Sequence, residues 1–83
     1  MGINYAQLRN LTARDVISAL IRDGFSYDRG DGSHQIFCHP DRRRVTVIFH
    51  GGSSTFRRKT LKSMSEKEAR WTEEDLKRLK LIR

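Results

Sequence analysis

Arg43 to His50 reads Arg-Arg-Val-Thr-Val-Ile-Phe-His. A run so rich in β-branched residues forms a strand more readily than a helix. Gly51-Gly52 closes it, and Pro40-Asp41-Arg42 makes a turn in front of it. Ahead of that turn, residues 34–39 alternate in side-chain character and predict a second strand. Phe25-Ser26-Tyr27-Asp28-Arg29 alternates too and predicts a first strand. Gly30-Asp31-Gly32-Ser33 is the tight turn between them, with two glycines able to take positive φ. Connections this short imply an antiparallel meander.

The pleat assigns faces. If Val45, Val47 and Phe49 point to the core, then Thr46, Ile48 and His50 point away. A turn centred on Asp41 sets residue 37 opposite 45 and residue 35 opposite 47. Phe37 then joins the core, and His34 lies on the outer face opposite Ile48. A slip of one residue would reverse every face.

Helices flank the sheet. Thr12 caps a helix over about 13–23, with Asp15 completing a capping box. Val16, Ile17, Leu20 and Ile21 form its apolar stripe, and Gly24 suits the position past its end. Tyr5, Leu8 and Leu11 are candidate anchors in the lead-in. Residues 51–59 read as a flexible, basic loop. Thr60 reads as a cap for a second helix over about 61–69, with Leu61, Met64 and Ala69 on its apolar side. Thr72-Glu73-Glu74-Asp75 is another capping box, opening a short helix with Leu76, Leu79 and Ile82. Trp71 stands where a hydrophobic staple residue would meet Leu76. Repeats and low-complexity stretches are absent, so residues 1–83 read as one domain. The fold class is α+β, with helices on one face of a three-stranded antiparallel sheet and the other face open. This α-β-β-β-α order, with a short extra helix, resembles the double-stranded-RNA-binding domain. Fold alone does not settle function.

Charge narrows the partners. Lys and Arg number 17 against 10 Asp and Glu, a net charge of +7. A basic surface attracts polyanions, and nucleic acid is the commonest. The same charge also fits a soluble basic domain with no nucleic-acid role. A chain of 83 residues cannot enclose a large cavity, so a ligand site should lie at the surface. The single cysteine, Cys38, rules out an intramolecular disulfide and a cysteine zinc cluster. No apolar run approaches the ~20 residues of a membrane helix, and Met1 to Tyr5 lacks a signal-peptide segment. The expectation is a soluble, cytoplasmic protein without membrane contact.

Gly24-Phe25 follows the first helix, Gly32-Ser33-His34 follows the first strand, and His39-Pro40-Asp41 ends the second. Val45-Thr46-Val47 runs to His50-Gly51, and Lys59-Thr60-Leu61-Lys62-Ser63 opens the second helix. In this order and spacing the set resembles HicA, the toxin of the HicA–HicB toxin–antitoxin system, over about residues 12–65. The resemblance implies a double-stranded-RNA-binding-like fold and an mRNA-cleaving toxin that a HicB antitoxin binds and blocks. It also implies that His34, in the Gly-Ser-His motif, is the catalytic position. Three positions depart from the pattern. Gln35 stands where many members carry a second His, Ile48 where many carry proline, and Arg70 where helix 2 often ends in glycine.

RNA carries its own nucleophile, the 2′-OH. A metal-free ribonuclease needs a base for that proton, an acid for the leaving 5′-oxygen and positive charge for the transition state. Imidazole suits either proton transfer, so His34 is the expected general base or acid, with no cofactor and no metal. Backbone N–H groups of Gly32 and Ser33 would contact phosphate. Candidate cations are Arg42, Arg43 and Arg44 at one turn, and Arg57, Arg58, Lys59 and Lys62 around the start of helix 2. The double-stranded-RNA-binding analogy favours the second group. His39 and Trp71 read as structural residues, His50 as structural or solvent-facing, and Cys38 lacks a paired base. Only two of the three histidines, His34 and His50, fall on one face, which argues against a metal site built from them. Two other readings remain: an RNA-binding module that does not cut, and a protein-interaction domain whose basic face meets an acidic partner.

Overall fold

The computed structural model describes Leu8 and residues 11–82. Tyr5, one expected anchor, lies outside the described residues, whereas Leu8 is buried in the core. The elements are α1 (Ala13–Arg22), β1 (Ser26–Asp31), β2 (His34–Cys38), β3 (Arg44–Ile48), α2 (Arg58–Lys62) and α3 (Glu73–Arg78). A π-helical segment, Ser63–Glu68, continues directly from α2. The three strands form one antiparallel sheet in the order β1-β2-β3. This is the expected α+β fold, with the α-β-β-β-α order of a double-stranded-RNA-binding domain.

The register of β2 on β3 is the one that the alternation and the Asp41 turn predict. His34 pairs with Ile48, Gln35 with Val47 and Phe37 with Val45. Phe37, Val45 and Val47 are buried, and with Val16, Leu20, Leu61 and Met64 they make the core under the helices. Phe49 is only partly buried and lies past the end of β3.

The first hairpin differs from expectation. β1 runs to Asp31, which pairs with His34, so the turn is just Gly32-Ser33. Only Gly32 of the two turn glycines has positive φ, +62°, as a two-residue turn with glycine in its first central position requires. Gly30 is a strand residue, and the Tyr27 hydroxyl packs so close that a Cβ there would lie 2.6 Å from it. β1 is exposed along its whole length. α1 and the π segment pack against β3, so the far edge of the sheet stays uncovered.

Both capping boxes form. Thr12 Oγ1 accepts the Asp15 N–H at 3.2 Å and Asp15 accepts the Thr12 N–H at 2.9 Å. Thr72 and Asp75 repeat the pattern at 3.2 and 2.9 Å. Trp71 and Leu76 are buried on either side of the second cap, as a staple would place them. The apolar stripe of α1 is only partly used: Val16 and Leu20 are buried, while Ile21 is 57% exposed. The loop expected to be flexible is tied down. Ser54 O and Gly52 O accept the Ala13 and Arg14 N–H groups, and Thr55 bridges to Thr12. These bonds satisfy donors that a helix start leaves unpaired.

The second helix starts earlier than the Thr60 cap predicts. Leu61 N–H bonds to Arg57 O, so Arg57 takes the cap position without a side-chain bond. Thr60 then lies inside the helix. At the far end, Ala69 N–H reaches back five residues to Met64 O, and Arg70 takes φ +57°. The ends of α1 and α3 use the same left-handed device at Gly24 and Lys80, with 6→1 bonds from Phe25 to Leu20 and from Leu81 to Leu76. Gly24 has a second reason to be glycine, since a Cβ there would lie 2.9 Å from His39 Nε2. Arg70 is exposed and carries the cost of its φ, about 1–2 kcal/mol for a residue with a Cβ. Arg70→Gly should therefore raise stability by about 1 kcal/mol, after the entropy of glycine in the unfolded chain is subtracted. Chemical denaturation would read this as a higher midpoint with an unchanged slope, and an unchanged midpoint would refute it.

Candidate active-site cleft

Two surface grooves deserve comparison. One, of about 460 Å³, lies along α1 between Ile17, Ile21 and Phe49, with Arg14 and Arg22 at its rim. It contains no group that exchanges protons near neutral pH. The other, of about 450 Å³, lies between the β3 edge and α2. It has a titratable wall on one side and a basic wall on the other, and it is the candidate site.

His34 enters this cleft from the first residue of β2. The two-residue turn before it keeps it at the end of the hairpin, and the pleat puts it on the outer parity, exposed. Ile48, its cross-strand partner, and Thr46, two residues along β3, share the cleft. The opposite wall comes from α2, its cap residue and the start of the π segment. Arg57 and Lys59 line it, with Thr60 and Ser63 on the same side of the helix. Lys59 and Ser63 are four apart and lie one above the other. Arg58 and Lys62, also four apart, form a separate exposed row that does not line the cleft.

The remaining expected residues divide between two places. Gly32 and Ser33 form the turn just before His34, and their N–H groups make no hydrogen bond among the described residues. Ser33 O is taken by the Phe49 N–H at 2.7 Å. Arg42 and Arg44 are exposed at the opposite end of β2, about 14 Å from His34 at ~3.4 Å per strand residue. Arg43 is engaged elsewhere. Its guanidinium bonds Asp23 at 3.1 Å, Asp41 at 2.7 Å and Ala69 O at 2.6 Å, and it stacks 4.9 Å from the Phe25 ring centre. Strand parity carries the signal for this. Residue 43 shares the inward parity of Val45 and Val47.

His39 is held in the same structural region. Its Nε2 lies 2.9 Å from Asp23 O, its Nδ1 3.1 Å from the Asp41 N–H, and its ring meets Phe25 edge-on. His50 is exposed, past the end of β3. The cleft also contains a residue that sequence reasoning missed, Glu68 of the π segment. Its Oε1 accepts the Thr46 N–H at 2.8 Å, closing that point on the open edge of β3, and its Oε2 lies 3.5 Å from Ser63 Oγ. No group of three His, Cys, Asp or Glu side chains suited to a metal ion occurs among the described residues. No helix among them is long and apolar enough to cross a membrane.

The family model described as the HicA toxin of bacterial toxin–antitoxin systems matches residues 13–71. No curated protein matches the chain. The matched span runs from the first residue of α1 to Trp71 and contains every residue of the cleft.

Proposed function

The chain belongs to the HicA toxin family of bacterial toxin–antitoxin systems, and from that premise we propose that it is a metal-independent endoribonuclease that cleaves mRNA in the cytoplasm and is held inactive by a HicB-type antitoxin. The observation that supports this most directly is the meeting of His34 with Arg57 and Lys59 in one cleft. An imidazole can take or give a proton near neutral pH. The two cations can hold the phosphate and offset charge on the pentacoordinate transition state. The Gly32 and Ser33 N–H groups, which make no hydrogen bond among the described residues, would serve as further phosphate donors. Arg42 and Arg44, far along the sheet, are available to contact RNA beyond the scissile bond. An open cleft on a small basic domain suits single-stranded RNA, whose bases can splay out of a stack.

The test is incubation of the purified protein with a long single-stranded RNA in the presence of EDTA. Fragments ending in 2′,3′-cyclic phosphate are the expected result. Intact RNA that is nevertheless bound would make the chain a non-catalytic RNA-binding module.

The roles of the two cations are separable from the chemistry. If Arg57 and Lys59 each neutralise one phosphate, their double alanine variant should lose about 1.4 from the slope of log affinity against log salt. Binding titrations across a salt series read that slope directly. A slope equal to that of wild type would place the RNA elsewhere.

A further inference from the structure

General acid–base cleavage of RNA needs two proton transfers, and the family motif offers one histidine. The cleft holds a second group able to serve. Glu68 lies in it with His34, carried by a different element. We propose that Glu68 is the general base for the 2′-OH and His34 the general acid for the leaving oxygen. The proposal rests on the ribonuclease reading above.

Position supports it first. Glu68 is anchored to Thr46, which is a diagonal neighbour of His34 across the β2–β3 pair. Such neighbours lie about 7–8 Å apart along the sheet, so the backbone group that anchors Glu68 stands close to the strand position of His34, and both side chains line one cleft. Fixation supports it second. The Thr46 N–H holds Oε1 at 2.8 Å, so the carboxylate is oriented before substrate arrives. Among the described residues Oε2 has only the 3.5 Å approach of Ser63 Oγ and keeps lone pairs for a hydroxyl proton.

Electrostatics assigns the roles. The groups facing Glu68 are His34 from β2 and Arg57 and Lys59 from the start of α2, while β3 contributes only Thr46 and Ile48. Its neighbours on its own segment are Glu66 and Lys67, both exposed. A carboxylate oxygen with a free lone pair is the natural acceptor for a hydroxyl proton. An imidazolium is the better donor. The step then balances. The 2′-OH proton passes to Glu68 as the 2′-oxygen bonds to phosphorus. The bond from phosphorus to the 5′-oxygen breaks, and His34 protonates that oxygen. The products are a 2′,3′-cyclic phosphate and a 5′-hydroxyl, and exchange with water restores both side chains.

Glu68→Gln tests this, because an amide oxygen can still accept the Thr46 N–H while no longer taking a proton. The variant should melt like wild type and bind RNA equally well, yet cleave about 100-fold or more slowly at saturating RNA. A substrate with sulfur in place of the bridging 5′-oxygen separates the two roles, since its leaving group needs no acid. That substrate should restore His34→Ala toward the wild-type rate and leave Glu68→Gln slow. Cleavage by Glu68→Gln within about threefold of wild type would overturn the assignment. So would a parallel loss of melting temperature and RNA affinity, which marks a purely structural role. Rescue of Glu68→Gln in place of His34→Ala would also overturn it. Failure of the wild type to cut RNA would instead remove the ribonuclease reading itself.

Discussion

Asp23→Ala is expected to destabilise the fold by about 3–5 kcal/mol, the cost of removing one partner from a buried charge network. The carboxylate, 8% exposed, has three side-chain partners, two that donate hydrogen bonds and one, Arg43, that forms an ion pair. They are Trp71 Nε1 at 2.9 Å, Arg43 Nη1 at 3.1 Å and Arg78 Nη2 at 2.7 Å. Its own carbonyl bonds His39. One residue at the end of α1 thus ties together the β2–β3 turn, the segment after the π helix, and α3. Without it, the Arg43 side chain, 16% exposed, keeps its charge and loses a counter-charge, and the indole N–H of the buried Trp71 loses its acceptor. Folds of this length have about 4–12 kcal/mol in total, at roughly 0.05–0.15 kcal/mol per residue. The variant should therefore melt some 15 °C lower or more. Arg78→Ala, removing a half-exposed partner screened by solvent, should cost far less. Equal losses for the two variants would show that burial does not set the cost.

The same network fixes a pH dependence. Burial alone would push the Asp23 carboxyl up. The hydrogen bonds from Trp71 and Arg78 and the charges of Arg43 and Arg78 outweigh it and hold the group below its ordinary value. A carboxyl lowered in the folded state adds stability that is complete above its unfolded pKa, about 3.9. That stability is lost as pH falls through the lower, folded value. Wild type should therefore lose stability below about pH 4, and Asp23→Ala should show a shallower decline there. Some slope should persist, because the Thr72 N–H bond holds Asp75 low as well, against a smaller opposing effect of burial.

This network shows where legibility from sequence ends. The β2–β3 register was readable because the β-branched run, the Asp41 turn and the pleat each constrain the same two-residue period. The caps at Thr12 and Thr72 were readable because a capping box is local, closed within four residues. Asp23 sits outside both kinds of pattern. Its three side-chain partners lie 20, 48 and 55 residues away in the chain, and only packing brings them together. Glu68 escaped for another reason. A run of Ser, Glu and Lys has too little apolar patterning to show which side faces the sheet, and the switch to i→i+5 bonding leaves no trace in residue type. Arg43 is the instructive middle case. Among three consecutive arginines composition offers no distinction, yet strand parity turns the central one inward. The cleft was therefore half legible: His34 came from a motif, whereas the choice of Arg57 and Lys59 over Arg58 and Lys62 awaited the phase of α2.

That asymmetry bears on the second large effect, His34→Ala. The side chain is exposed at the start of β2 and makes no hydrogen bond or ion pair among the described residues. Replacing such a residue changes stability by about 0.5 kcal/mol at most, so the variant should fold and melt like wild type. Arg57 and Lys59 remain in place, so RNA affinity and its salt dependence should remain too. Only proton transfer is removed, and that should slow cleavage about 10²–10⁴-fold at saturating RNA with little change in KM. The pattern matters more than the size. A fall in kcat alone identifies a group needed in the transition state, whereas a rise in KM alone identifies uniform binding. Combining His34→Ala with Glu68→Gln sharpens the result, because groups that act on one reaction step are not additive. If both move protons in the same displacement, the double variant should be scarcely slower than the slower single one. Cleavage by His34→Ala at the wild-type rate would move the chemistry out of this cleft altogether.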